Sequence, residues 1–442
     1  MKMTRTCNLK LLTGGALVLA ATASVFAEDK PAAPASGTLN SFFNGKLPEA
    51  IGKSKISVNA RFRWEYADQS NLQTANAYTL RTRFGITTAP LYGFQGMLEA
   101  ENVASLGNVD DYNAAGSNPA GAGKTIIADP PTTELNQAWL SYTCTNWMMT
   151  LKGGRERIVL DNARFVGDVG WRQNQQTFDA GSFEIKPMKD LALFYAYVWE
   201  VHRIFGNVPG LPAASGNRDF DSRSHLINVS YNACTYAKFT GYTYLLDLKN
   251  GAGAANSCAT YGGYITGTIP AGEKVKFDYR GEYAYQTDYG DSLLGYQANY
   301  YNLELAANVK PFVLGGGYEV LGSDNNSGVA GGLASFRTPL ATLHAFNGWA
   351  DLFLATPAAG LRDIYGFAQV TIPKIGLPIR AVYHKFDADK GGADYGQEFD
   401  VVATKKLGKN WTAIAKYAHY DGKAAPYGFD VDKFWLELGF NF

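Results

Sequence analysis

The chain has 442 residues, 46% hydrophobic and 14% aromatic, with 40 basic and 40 acidic side chains. Balanced charge excludes an electrostatic nucleic-acid binder, and past the first thirty residues no apolar run approaches the ~20 residues of a membrane helix. The hydrophobicity is spread by alternation instead, with 27 Tyr and 25 Phe, which suits strands that meet a membrane interface on one face.

Met1 to Lys10 carries Lys2, Arg5 and Lys10 with no acid, Leu11 to Phe26 is apolar and small, and Val25-Phe26-Ala27 offers small residues at the cleavage positions. This pattern predicts a removed secretory signal over residues 1–27, too short and too rich in Thr, Ser and Gly for a comfortable membrane span. Taking its three basic residues from 40 leaves 37 against 40 acidic ones, a net charge near −3. Residues 28–53 are rich in Ala, Pro, Ser and Gly without periodicity and predict a periplasmic lead-in with one short turn of helix. A transmembrane β-barrel is expected over 54–442.

From Lys55 to Asp68, Ile56, Val58, Ala60, Phe62, Trp64 and Tyr66 alternate with Ser57, Asn59, Arg61, Arg63 and Glu65. Ala77 to Ala89 repeats the pattern with Arg81 and Arg83 on its polar face, and Val275 to Tyr285 sets Phe277, Tyr279 and Tyr283 against Lys276, Asp278, Arg280 and Glu282. The chain ends with Phe434, Leu436, Leu438, Phe440 and Phe442 on one parity and Lys433, Trp435 and Glu437 on the other. Successive strand side chains point to opposite faces, so each segment separates an apolar medium from a polar one.

Short turns are expected at Pro90-Leu91, Thr145-Asn146, Pro187 to Lys189, Asn232-Ala233, Pro270 to Glu273, Lys310-Pro311, Pro373 to Leu377 and Leu407 to Asn410. Between them fall longer loops, chief among them Leu106 to Thr133, Arg157 to Gln175, Phe205 to Phe220 and Gly322 to Gly360. The segments between connections number about 18, with about 16 as the alternative, and either even count puts both termini in the periplasm of a bacterial outer-membrane barrel. Unpaired strand edges in lipid cost several kcal/mol per group, so the barrel must close.

On the inner wall, register about the Gln69 to Asn76 loop sets Arg61 near Arg83 and Arg63 near Arg81. The next hairpin then brings Glu99 and Glu101 beside Arg83 and Arg81. Either these charges neutralise one another along the wall, or Arg61 and Arg63 offer planar guanidinium forks to passing carboxylates or sulfates.

The segment from Gly153 to Ala180 contains Gly154-Arg155 leading into a loop, then Trp171-Arg172-Gln173-Asn174 and Thr177-Phe178-Asp179-Ala180. It resembles the signature of the alginate-export-type outer-membrane porin family, and Thr338 to Asp351 is similar to a second segment of that family. The resemblance implies a wide monomeric barrel that passes an anionic polysaccharide or its fragments. Alginate export further implies a markedly cation-rich pore, from which this slightly acidic chain departs. On its own chemistry, a loop rich in Arg, Asn and Gln can fold inward and narrow the lumen. Arg155, Arg157, Arg164 and Arg172 are then candidates for the constriction, with Asn174, Gln176 and Asp179 as hydrogen-bonding partners. The alternative is that Asp161, Asp168 and Asp179 pair with these arginines and pin the loop.

Other signals carry no chemistry. Cys144, Cys234 and Cys258 are scattered and allow at most one disulfide and no metal site. His202, His225, His344, His384 and His419 lack ligand spacing, and His344 reads as a loop-packing residue. Gly121-Ala122-Gly123-Lys124-Thr125 lacks the start of a phosphate loop and reads as a flexible external loop. No Ser nucleophile sits in a Gly-x-Ser-x-Gly context. The expected function is passive passage of hydrophilic, acidic saccharides or polysaccharide, without enzyme activity or cofactor. An outer-membrane hydrolase and a plugged structural or adhesin barrel are the rival classes. The expected partners are outer-membrane lipid, the solute, and the assembly machinery that would read Phe442.

Overall fold

The computed structural model describes residues 44–206, 219–249, 251–324 and 332–442. The expected signal and most of the lead-in lie outside the described residues. A short helix, α1 (Leu47–Gly52), precedes the strands.

The first ten strands are β1 (Lys55–Gln69), β2 (Ala75–Thr87), β3 (Phe94–Ser105), β4 (Thr132–Cys144), β5 (Met149–Glu156), β6 (Thr177–Met188), β7 (Leu191–His202), β8 (Asp219–Cys234), β9 (Ala237–Leu246) and β10 (Cys258–Ala271). They continue as β11 (Val275–Asp288), β12 (Gln297–Val309) and β13 (Phe312–Leu321). A two-residue pair, β14 (Ser323–Asp324) and β15 (Ala334–Ser335), decorates a loop. The last are β16 (Leu361–Ile372), β17 (Leu377–Asp387), β18 (Asp394–Leu407), β19 (Trp411–Gly422) and β20 (Val431–Asn441). Without the β14–β15 pair these form one 18-stranded antiparallel sheet that closes on itself through β1 and β20. The larger of the two strand counts is the observed one.

At the seam Arg63 faces Glu437 and Trp64 faces Leu436. The pairing runs past the last strand residue, where the Val58 and Phe442 backbones exchange hydrogen bonds of 3.1 and 2.9 Å. Alternation on β20 is as the sequence requires: Leu436 and Leu438 are exposed outward, whereas Trp435 and Glu437 are buried inward. Outward aromatics form two bands. Tyr78, Trp199, Tyr261, Tyr283, Tyr301, Tyr383 and Tyr417 lie toward the long-loop end, and Tyr92, Trp147, Tyr231, Tyr236, Phe312 and Trp411 toward the short-turn end. Leucines such as Leu303, Leu305 and Leu314 are exposed between them. An apolar belt between aromatic girdles is the surface a bilayer demands.

Connections alternate as expected, short at the end that holds both termini and long at the other. The turn expected at Asn232-Ala233 comes three residues later, at Thr235-Tyr236, because β8 runs on to Cys234. The first hairpin register also differs: Arg61 faces Arg81, Arg63 faces Thr79 and Arg83 faces Asn59. Pairing persists to Ala67 and Ala75, so the hairpin pivots one residue earlier than expected and every partner moves by two. The second hairpin independently pivots one residue later than expected, so Arg83 lies beside Glu101, and Glu99 beside Gly85.

The loops after β3, β5 and β13 fold into the lumen. Val166 pairs with Leu340, and Phe165 packs on Tyr242, Tyr300 and Phe336 with ring centroids 5.4, 5.2 and 5.8 Å away. Gly167 is required there by close approach, since a Cβ would lie 2.3 Å from Thr342 Oγ1 and 2.5 Å from Ala163 Cβ. The loop holding Lys124 and Thr125 also packs down. Thr125 is buried and its hydroxyl accepts from the Gln69 N–H at 3.2 Å.

Candidate functional site

Inward parity on the four strands around the seam presents Arg61, Arg63 and Glu65 from β1, Arg81 and Arg83 from β2, Lys416 from β19, and Lys433, Trp435 and Glu437 from β20. Three inserted loops meet this wall with Asp129, with Trp171, Arg172 and Gln173, and with His344 and Asp351.

Arg63 is fully buried, donating to Glu437 at 2.6 and 3.0 Å and to Asp129 at 3.2 Å, and its guanidinium lies 4.2 Å above the Trp171 ring. Arg172 reaches Glu65 at 3.1 Å and Asp351 at 2.6 Å. His344 hydrogen-bonds Asp351 through Nδ1 at 2.6 Å, while its Nε2 lies 2.6 Å from Lys416 Nζ. Lys416 also sits 3.6 Å over the Trp349 ring. Arg63, Arg172, Lys416 and Lys433 thus balance Glu65, Asp129, Asp351 and Glu437 in a buried network, which is the condition under which buried charge is tolerated.

The loop groups titrate accordingly. Burial would raise the Asp129 carboxyl, but Arg172, Arg63 and the Gln173 N–H hold it below the usual range. Asp351 lies far below that range, burial being overcome by His344, Lys433 and Arg172. Burial, helped by the Lys416 and Arg172 charges against the opposing pull of Asp351, pushes His344 well below the ordinary imidazole value, so it is neutral. Its Nε2 then accepts from Lys416.

Across the lumen the inserted loop is tied to the far wall. Arg164 donates to Glu319 at 2.7 Å and Asn347 at 3.1 Å, and Arg280 reaches Asp161 at 2.5 Å. Space remains on either side. One cavity of about 370 Å³ is lined by Lys152, Glu156, Arg157, Ser182, Glu184, Asn228 and Ser230. Another of about 320 Å³ is lined by Arg280, Glu304, Glu319, Trp349, Asp363, Arg380 and His384.

The predicted site residues separate into groups. Arg61 and Arg63 are not open forks. Arg61 is taken up by the Gln173 side chain at 2.9 Å and by the carbonyls of Gly170, Trp171 and Arg172, because the inserted loop covers them. Arg81 bonds Asn59 and Arg83 bonds Glu101, while Arg81 Nε and Arg83 Nη2 are buried with no hydrogen-bond partner. Arg164, Arg172, Asn174 and Gln176 are buried supports. Asn174 donates to Pro130 O at 3.0 Å and Gln176 to Gly167 O at 2.8 Å. Arg157 pairs with Asp168 yet keeps 46% of its side chain exposed and lines the larger of the two cavities.

Arg155 and Asp179 are corrected from the lumen to the outside. Glu156 and Phe178 are register partners on the inward parity, so their neighbours Arg155 and Asp179, which pair at 2.8 Å, face the opposite way. Asp129, Asp351, Lys416 and Lys433 were not singled out from sequence. Parity alone would have found the two lysines, whereas the two aspartates lie in loops without period.

Cys234 and Cys258 carry free thiols, so no disulfide joins two of the three expected cysteines. Among the described residues, one group could hold a metal ion: Asp179, Glu200 and His202, with ligand atoms within 4.8 Å of one another. His202 thereby departs from the expected scatter.

No family model and no curated protein sequence matches the chain significantly. Solved structures do resemble it. Pseudomonas aeruginosa OccK9 (OpdG) superposes with TM-score 0.67 at 15% identity, covering 89% of this chain and 99% of that one. Acinetobacter baumannii OccAB2 gives 0.69 at 14%, covering 89% and 98%, and Pseudomonas aeruginosa OpdK, solved with vanillate, gives 0.64 at 12%, covering 89% and 99%. These neighbours are outer-membrane porins of Occ/Opd type, not alginate exporters. Closed strands, girdles and inserted loops together give this chain the fold of an eighteen-stranded outer-membrane porin barrel.

Proposed function

We propose that the chain is a passive outer-membrane channel for small hydrophilic solutes that carry an acidic group, acidic sugars of one or a few units among them. The observation that carries this reading is the lumen itself. Three loops are clamped to the seam by a charge-balanced network, and the larger of the two cavities left open is lined by polar and apolar side chains with the half-exposed Arg157 guanidinium among them. A cavity of about 370 Å³ falls at the small-molecule end of the roughly 300–1,000 Å³ typical of ligand sites, which favours small acids over a polysaccharide. Vanillate, the small carboxylate in the OpdK structure, is a solute of the same class. In this reading the long-loop end faces outward, both termini lie in the periplasm, and the terminal Phe442 is what the assembly machinery recognises.

Liposome swelling with neutral sugars, sugar acids and an anionic polysaccharide tests it. Fast swelling with small sugar acids and none with the polymer is expected. Equal exclusion of every solute would favour a plugged structural barrel, and hydrolysis of lipid or polysaccharide would favour an enzyme.

A further inference from the structure

The side chains from β5 to β8 that face away from the lumen carry an arrangement that passage of solute does not use. Phe178, Val201 and Phe220 are register partners and are all buried inward. Their neighbours Asp179, Glu200, His202 and Asp219 therefore face out, on two adjacent rungs: Asp179 opposite Glu200, and His202 opposite Asp219. The outward, exposed Tyr197 and Trp199 lie just below them on β7. Placed past this aromatic band, the cluster sits at the level of lipid headgroups rather than hydrocarbon.

We infer that Asp179, Glu200 and His202 form a binding site for a divalent transition cation of the zinc class. His202 Nε2 lies 3.0 Å from Asp179 Oδ2 and 3.8 Å from Glu200 Oε2. An ion about 2.0–2.2 Å from nitrogen and carboxylate oxygen ligands requires donor atoms separated by roughly this much. The other ring nitrogen, Nδ1, is held by Asp219 at 2.9 Å. A carboxylate on the far nitrogen fixes the tautomer and presents Nε2 to the metal, which is the support that metal-ligating histidines ordinarily have. Arg155 holds Asp179 through Nε–Oδ1 at 2.8 Å and Nη2–Oδ2 at 3.1 Å, orienting the carboxylate. The ion takes the place of the proton shared between His202 Nε2 and Asp179, which is released to solvent. Three protein donors leave a coordination position open toward the headgroup layer. Sequence spacing hides this site, because Asp179 is on β6 and the other two ligands are on β7.

Calorimetric titration of the purified barrel in detergent with Zn²⁺, and its visible absorption with Co²⁺, test the inference. The native chain is expected to bind one equivalent with a low-coordinate Co²⁺ spectrum. His202→Ala should weaken binding at least tenfold, and Asp219→Asn should weaken it by about 10- to 100-fold. Heat-dependent migration on gels reports whether each variant is folded, and Glu200→Gln, on the more exposed side of the cluster, decides if His202→Ala does not fold. No saturable binding by the native chain, or unchanged affinity in the folded variants, would overturn the inference.

Discussion

Trp171 and His344, carried by two different inserted loops, stack face to face with ring centroids 4.2 Å apart and planes 2° from parallel. The stack joins the loops to each other, and the cations around it, Arg63 and Lys416, join both to the barrel seam. The constriction is therefore held by side chains of the wall in addition to the backbone pairing between the loops, such as Val166 with Leu340.

Removing one member of this network leaves its partners charged and buried. Asp351→Ala strips Arg172, His344 and Lys433 of a carboxylate. Breaking a buried pair in this way costs about 3–5 kcal/mol. A lower thermal midpoint in detergent and a larger single-channel conductance are expected together. An unchanged conductance would mean the loops are positioned by something else.

The neutral His344 makes stability depend on pH with a defined sign. Its folded value is depressed by burial, so below about pH 6.5 the unfolded chain takes up a proton that the folded chain refuses. Its contribution is complete above that pH and declines as pH falls. His344→Gln, which can still bond Asp351 and Lys416, should lose this pH dependence, so that the native-minus-variant stability difference falls by up to about 1.4 kcal/mol per pH unit below 6.5. Thermal unfolding from pH 5 to 8 reads this. Identical slopes would remove His344 from the account.

The outward belt predicts depth dependence. Leu303→Arg, between the aromatic bands, should cost roughly 2–4 kcal/mol, whereas Phe440→Arg, beside Trp411 in the short-turn band, should cost ~0–1 kcal/mol. Equal effects on refolding stability into bilayers would contradict the placement of the belt.

Selectivity should follow the wall face. Lys152→Ala with Arg157→Ala removes two cations from the lumen cavity and should move the reversal potential in a salt gradient toward cation preference. Arg155→Ala, two residues from Arg157 but facing outward, should leave it unchanged. A shift produced by Arg155→Ala would place that side chain in the pore after all.

Much of this was legible before the structure. Period-two alternation is repeated in so many segments that strand count, connection lengths and closure follow from it, and parity alone assigned Arg63, Glu65 and Glu437 to the inside. Register was less secure, because nothing in Gln69 to Asn76 marks which residue tops the turn, and an error of one residue there moved Arg61 from Arg83 to Arg81. Arg155 was misplaced for a related reason. Gly153-Gly154 carry no side chains, so the alternation is blank where it was needed. Asp129 and Asp351 were out of reach, since loop residues acquire partners only from distant sequence.

Conductance of the purified chain in planar bilayers tests the central claim, a closed barrel with a narrowed, water-filled and anion-favouring lumen. The account predicts small discrete steps with a reversal potential on the anion side, and a shift toward cations in the Lys152→Ala, Arg157→Ala variant. Absence of steps from folded, inserted protein, or cation preference in the native chain, would contradict it.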